Sequence, residues 1–362
     1  MERPGRRRQR GRGALDNPSS RFEAQRCVEV DDGWGTVEIE APDLATIVQA
    51  EITRTILSTN SSPDLPFSQS INPYKGCEHG CVYCFARPSH AYLGLSPGLD
   101  FETRIFSKPD AGRLLRKELS KPSYKPDLIV LGANTDPYQP IERSLRISRE
   151  VLSVLRDFGH PVSIITKSST ITRDIDLLSD LAERGLVSVY LSITTLDPQL
   201  ASRMEPRAAA PGRRLQTLRA LSEAAVPVGV LASPMIPALN DRELEGILTA
   251  AKAHGASSAG YILLRLPREV AELFTTWLRH HYPGRADKVL SLLRDSRDGE
   301  LYRSEFGTRM KGTGPYAEAL AQRFRIASRR LGLDAPGSEL SLEHFKVPGS
   351  CGKQLQLFAS NS

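Results

Sequence analysis

The sequence predicts an α/β fold built on a six-stranded parallel sheet, on the strength of three observations. Short, nearly continuous apolar and β-branched runs recur along the chain; segments with helical spacing separate them; and the interval is about 30 residues, the span of a βαβ unit. The runs are Ser70–Tyr74, Asp127–Ala133, Pro161–Thr166, Val187–Ile193, Val226–Ala232 and Ser258–Leu264. Continuous apolar character, rather than alternation, is what strands buried on both faces require.

The helices fall between them. Ser144–Phe158 carries Leu145, Val151, Leu152, Leu155 and Phe158, and Thr172–Arg184 carries Ile175, Leu177, Leu178 and Leu181, each set at helical spacing. Leu215–Ala225 and Asp241–His254 complete the series. Beyond Tyr282 the pattern is helical through Ala286–Arg294 and Tyr316–Leu331, and then loop-like. Residues 27–67 form an irregular lead-in with one amphipathic stretch, Leu44–Leu57. The expected organisation is a disordered basic tail (1–26), an N-terminal extension (27–67), a barrel-type body (68–282), a helical C-terminal extension (283–334) and a tail (335–362). No fixed-period self-similarity marks a solenoid.

Composition excludes some classes. The 362 residues are 40% hydrophobic and 25% charged, as in ordinary globular proteins. No apolar run approaches the ~18 residues needed to span a membrane. The N-terminus has charge but no apolar h-region, so the cytoplasm is the expected compartment. The net charge of +6 is local: eight Arg and three acidic residues lie in 1–26, leaving forty basic and thirty-nine acidic side chains elsewhere. A near-neutral body gives no general electrostatic case for nucleic acid, although the arm itself can neutralise phosphates.

Five cysteines occur, three of them at Cys77, Cys81 and Cys84. An odd count with such clustering points to metal rather than disulfides. Three soft ligands on one tight loop suit three irons of a cubane cluster, leaving the fourth iron open to a substrate. Zinc is the alternative. It wants four ligands, which His79, His90 or a distant cysteine would complete, but no second half-site accompanies the loop. In parallel barrels the chemistry gathers at the C-terminal ends of the strands, which is where this loop falls.

The segment Cys77-Glu78-His79-Gly80-Cys81-Val82-Tyr83-Cys84 resembles the signature of the radical S-adenosylmethionine (SAM) superfamily. The resemblance covers roughly residues 68–282. Asn134-Thr135-Asp136-Pro137-Tyr138-Gln139, Glu205-Pro206-Arg207, Ser233-Pro234-Met235-Ile236-Pro237 and Asn240-Asp241 narrow it. Together with the flanks Tyr74-Lys75-Gly76 and Phe85-Ala86-Arg87, they resemble the spore photoproduct lyase-related group, and more narrowly one uncharacterised branch of it. The resemblance implies a partial (β/α)6 TIM-like radical SAM barrel. It implies a [4Fe–4S] cluster on Cys77, Cys81 and Cys84, SAM chelated at the open iron, and a reductant such as flavodoxin or ferredoxin. Reductive cleavage of SAM then yields a 5′-deoxyadenosyl radical that abstracts hydrogen from the substrate.

SAM contacts are expected from Asn134 and Thr135 after the second strand, Lys167 after the third, Ser192 in the fourth, and Arg203, Glu205 and Arg207 in the following loop. Lys167 is the candidate partner of the SAM carboxylate, while Asp136 has the alternative of an Asx-turn before Pro137. Tyr92 and Tyr138 are candidate radical relays. Spore photoproduct lyase returns hydrogen from a cysteine; here the remaining cysteines, Cys27 and Cys351, lie in the extensions, so that donor does not carry over. The leading function is a radical SAM enzyme acting on nucleic acid, lyase-like in DNA repair. The alternatives are one acting on a small molecule or RNA base, and a non-catalytic zinc or iron–sulfur module. At the C-terminus, Gln354, Leu355, Leu357 and Phe358 resemble the Gln-Leu-x-Leu-Phe peptide by which bacterial DNA-processing proteins dock on the sliding clamp, with Leu357 and Phe358 as apolar anchors.

Overall fold

The computed structural model of the chain describes residues 11–22, 45–335, 337 and 339–348. Six strands form its centre: β1 (Gln69–Ile71), β2 (Ile129–Leu131), β3 (Val162–Thr166), β4 (Val187–Ser192), β5 (Val228–Met235) and β6 (Ser258–Leu263). Each pairs in parallel with its successor, and Leu57–Thr59 adds antiparallel to the free edge of β1. Sequential parallel pairing of six strands is the architecture of a partial (β/α)6 barrel. Ile71, Ile129, Leu131, Ile164, Val189, Leu191 and Val230 are fully buried between the layers.

One run divides. Tyr74–Lys75 leaves the barrel and pairs with Arg104–Ser107, which also pairs with Ile47–Ala50 in a separate three-stranded sheet. Pro73, without an N–H to give a ladder, separates the two pieces. The amphipathic stretch is extended: it supplies Ile47–Ala50 and leads into Leu57–Thr59.

The main helices are α1 (Ala111–Leu119), α2 (Ile147–Phe158), α3 (Ile175–Glu183), α4 (Pro211–Glu223), α5 (Leu244–Ala253), α6 (Glu269–His281), α7 (Pro283–Asp295) and α8 (Gly314–Leu331). In α2 the buried set Ile147, Val151, Leu152, Leu155 and Phe158 is the face that the 3.6-residue period selects. No described helix is long and apolar enough to cross a membrane.

A second core lies under the cysteine loop. Val82 and Tyr83 join Leu200, Met204, Ile236, Leu266, Phe274, Trp277, Leu278, Val289 and Leu293 in one apolar cluster. Helices α6 and α7 therefore share one core with the loop, and position 282 falls between them. The basic arm also departs from expectation. Residues 11–22 pack on the body, with Ala14 1% and Arg12 7% exposed, because a buried carboxylate accepts their backbone amides. Cys27, Cys351 and the Gln354–Phe358 peptide lie outside the described residues.

Candidate active site

The loop bearing the three cysteines leaves Lys75 at the active end of the sheet and is tied down on several sides. Cys77 N–H donates to Phe101 O (2.9 Å), Val82 N–H to Met204 O (3.0 Å) and Cys84 N–H to Cys81 O (3.2 Å). The Gln139 side chain spans the loop, accepting from Glu78 N–H (2.9 Å) and donating to Gly76 O (3.2 Å). Gly80 takes φ +67°, and a Cβ there would lie 2.7 Å from Glu102 Oε2, so glycine is required twice over.

Glu102 is the anchor of the loop's outer side. Its buried carboxylate accepts from Gly13 N–H (2.9 Å), Ala14 N–H (2.8 Å) and the Arg87 guanidinium. Arg87, itself fully buried, also donates Nε–H to Cys81 O (2.8 Å) and reaches the carbonyls of Pro97 and Gly98. A Cβ on Gly13 would stand 1.8 Å from Gly80 O. The arm is thus in van der Waals contact with the loop.

Cys77 and Cys81 are buried and Cys84 is half-exposed, all three as free thiols. Burial, then the Asp136 charge and the other two cysteines, pushes Cys77 well above its ordinary value. Burial and Glu205 push Cys81 up to about 12. Cys77 and Cys81 therefore resist ionisation as free thiols, and a positively charged iron–sulfur group would deprotonate and claim them. Among the described residues no group of three or more His, Cys, Asp or Glu is arranged to hold a single ion. Three cysteine sulfurs carried on one short loop are the soft donor set that an iron–sulfur cluster takes, so the residues present fit that group.

On the inner side, Tyr83 and Thr194 both donate to the buried Glu205 carboxylate, and Arg214 forms a buried ion pair with it. Lys167 Nζ stands 5.9 Å from the Tyr83 ring centroid. Burial alone would raise the Glu205 carboxyl, but Arg214, Lys167, Thr194 and Tyr83 hold it at about 2. Asp136 behaves likewise: against burial, His79, Lys167 N–H and Thr166 hold it at about 2. Both folded values lie below the unfolded carboxylate range of about 4. Their contribution to stability is complete above that range and is lost as pH falls through it toward 2. Urea midpoints should therefore drop between about pH 4 and pH 2, and less steeply in Glu205→Gln. Equal pH slopes for the two proteins would contradict this role for Glu205.

The expected SAM residues separate into groups. Lys167 and Ser192 lie at the ends of β3 and β4, and Glu205 ends the short helix Pro198–Met204; Lys167 and Glu205 meet at Tyr83, and the backbone carbonyl of Ser192 accepts from Arg214 (2.9 Å). Arg207 pairs with Glu78 (3.0 Å) and lines a cavity of about 370 Å³ with His79, Arg143, Ser168, Thr170 and Arg213. Thr135 spends its hydroxyl on Tyr74 O (2.8 Å), and Asn134 is exposed, its N–H held by Asn72 Oδ1 (3.0 Å). Arg203 stacks on Tyr282 at 5.3 Å, over the C-terminal helices.

The two expected relays lie in different surroundings. Tyr92 is 68% exposed and packs against Phe22 and Arg21. Tyr138 is buried in the main core, donating to Asp174 (3.1 Å). The tyrosine beside the loop is Tyr83, which, with Arg214 and Thr194, the sequence reading passed over; its place just before Cys84 was the available signal. Asp136 is the Asx-turn residue, accepting from Tyr138 N–H (2.9 Å), and also the hub binding Thr166 Oγ1 and Lys167 N–H (2.7 Å each).

A three-cysteine loop after the first strand of a six-stranded parallel barrel defines a class of cofactor-dependent enzyme. The family model described as the radical SAM superfamily matches residues 71–251, and the chain belongs to that superfamily. An uncharacterized protein of Mycobacterium tuberculosis is 35% identical over 232 residues, covering 64% of this chain and 68% of that protein. An uncharacterized protein of Acidianus two-tailed virus is 32% identical over 172 residues, covering 46% of this chain and 56% of that protein. Among solved structures, a mutant of spore photoproduct lyase aligns with TM-score 0.57 at 16% identity, covering 83% of this chain and 84% of that one. A further mutant of that lyase, with bound AdoMet and dinucleoside spore photoproduct, aligns with TM-score 0.57 at 15% identity over the same shares. At these identities the likeness concerns the fold. The chain is a radical SAM enzyme, a family that implies SAM and an iron–sulfur cluster as cofactors.

Proposed function

We propose that this enzyme cleaves SAM reductively at a [4Fe–4S] cluster held by Cys77, Cys81 and Cys84 and acts on nucleic acid. The observation that carries the cofactor reading is the buried, braced loop presenting three free thiols at the active end of the barrel. The cluster, when bound, supplies the electron that breaks the sulfonium bond of SAM and so yields a carbon-centred radical able to abstract hydrogen. The chain's own work is positioning and exclusion of water. Arg87 and Glu102 fix the loop from outside; Tyr83, Glu205 and Arg214 fix it from inside.

Lys167 orients SAM by pairing with its carboxylate, and Ser192 lies beside it on the neighbouring strand. A reductant such as flavodoxin or ferredoxin delivers the electron. Lys167→Ala should weaken SAM binding by about 1.5–3 kcal/mol, the worth of a charge-assisted hydrogen bond. Equilibrium binding of SAM to the anaerobic protein measures this, and an unchanged affinity would remove Lys167 from the site.

The nucleic-acid part rests on the fold shared with spore photoproduct lyase, solved with a dinucleoside photoproduct. It is tested by 5′-deoxyadenosine formation in the reduced enzyme, with and without ultraviolet-irradiated DNA. Repair of a DNA lesion coupled to SAM cleavage is expected. Stimulation by RNA or a small metabolite, but not by DNA, would favour the alternative substrates.

A further inference from the structure

Arg265 lies just past the end of β6, at the active end of the barrel, and its guanidinium sits 4.7 Å from the ring centroid of Phe85. Phe85 directly follows Cys84 and is 44% exposed. The hydrogen bond Arg265 makes is to the Met310 sulfur (2.9 Å), a weak acceptor. Behind it Arg297 is buried, donating to the carbonyls of Leu263, Leu264 and Arg309, while its Nε is buried with no partner. Arg309 completes the group, stacked on Phe306 at 4.8 Å and paired with Asp64.

Among the described residues, Asp64 is the sole carboxylate bonded to any of these three guanidiniums. Two positive charges in a partly dehydrated position therefore lack a counter-ion, which is costly unless an anion is bound. Two exposed aromatic rings, Phe85 and Phe306, each carry an arginine. Cations beside exposed rings are what a nucleic-acid strand recognises: phosphates pair with the charge and bases stack on the ring. Other than Asp64, the facing groups are Tyr302 and the Cys84 thiol.

We propose that Arg265, backed by Arg297, binds a phosphodiester of a nucleic-acid strand, with a base stacked on Phe85, so that the strand crosses the barrel mouth beside Cys84. This rests on the nucleic-acid reading above and names the residues that carry it. The test is fluorescence anisotropy of a fluorescein-labelled single-stranded DNA 12-mer with the full-length anaerobic protein, titrated across KCl concentrations. Arg265→Gln should bind about tenfold more weakly and lower the slope of log K against log salt by about 0.7. Arg265→Lys should keep the wild-type slope. Phe85→Leu should lower affinity without changing the slope. Arg303→Gln, which removes an exposed charge paired with Asp298, should change neither.

Wild-type affinity and slope in Arg265→Gln, or equal effects in Arg303→Gln, would overturn the proposal while leaving the nucleic-acid reading in place. A loss of SAM affinity in Arg265→Gln without loss of DNA affinity would also overturn it, since the cation would then serve the cofactor. Absence of saturable DNA binding by the wild type would overturn both.

Discussion

Cys81→Ala, prepared anaerobically, is expected to hold no intact cluster and to form no 5′-deoxyadenosine from SAM. Cys81 sits at the centre of the bracing: its carbonyl accepts from Arg87 Nε, and its side chain joins the core with Val82 and Tyr83. In a cubane held by three thiolates, each sulfur serves its own iron. Removing one leaves a second iron without a protein ligand, and neither His79 nor Glu78 stands ready to replace it, each being committed to other partners. Cys77→Ala and Cys84→Ala should behave alike. Cys27→Ala and Cys351→Ala, outside the loop, should keep full iron, sulfide and SAM cleavage. A full cluster in Cys81→Ala would sink the ligand assignment.

The second large effect is on stability. Glu102→Ala should destabilise the protein by about 3–5 kcal/mol, the cost of leaving a buried charge without its partner. Arg87 and Glu102 are each fully buried and pair with one another. Without the carboxylate, Arg87 keeps its carbonyl partners, but its charge is uncompensated, and the amides of Gly13 and Ala14 lose their acceptor. Denaturant unfolding of the cluster-free protein separates this from loss of metal. A change below about 1 kcal/mol, the level of an exposed pair, would contradict the structure of this anchor.

Much of the fold was legible because its strands are buried on both faces. The runs at Pro161–Thr166 and Val187–Ile193 match β3 and β4 to within a residue. The first run misled because Pro73 interrupts a pattern that hydrophobicity alone reads as continuous. Helices α1 and α6 were missed: α1 carries Ala111, Leu114, Leu115 and Leu119 at helical spacing but spans only nine residues, and α6 reads as the tail of the barrel until Phe274 and Trp277 are seen to pack on the loop. The cysteines were legible from spacing. The residues that brace their loop were not: Glu205 was expected as a SAM contact rather than a brace, and Arg87–Glu102 and Arg214–Glu205 pair across loops at spacings that no helical or strand period marks. The same holds for the arm: its arginines suggested a solvated tail, whereas the amides of Gly13 and Ala14 on Glu102, with Arg12 on Glu102 O and Arg21 on Glu269, hold it to the body, which composition does not reveal.

The claim that the three cysteines hold an iron–sulfur cluster is tested most directly by metal and sulfide analysis of the anaerobically prepared full-length chain. About four irons and four sulfides per chain are expected, in a brown protein whose absorbance bleaches on reduction. Stoichiometric zinc without acid-labile sulfide would contradict the account and leave the loop a structural metal site.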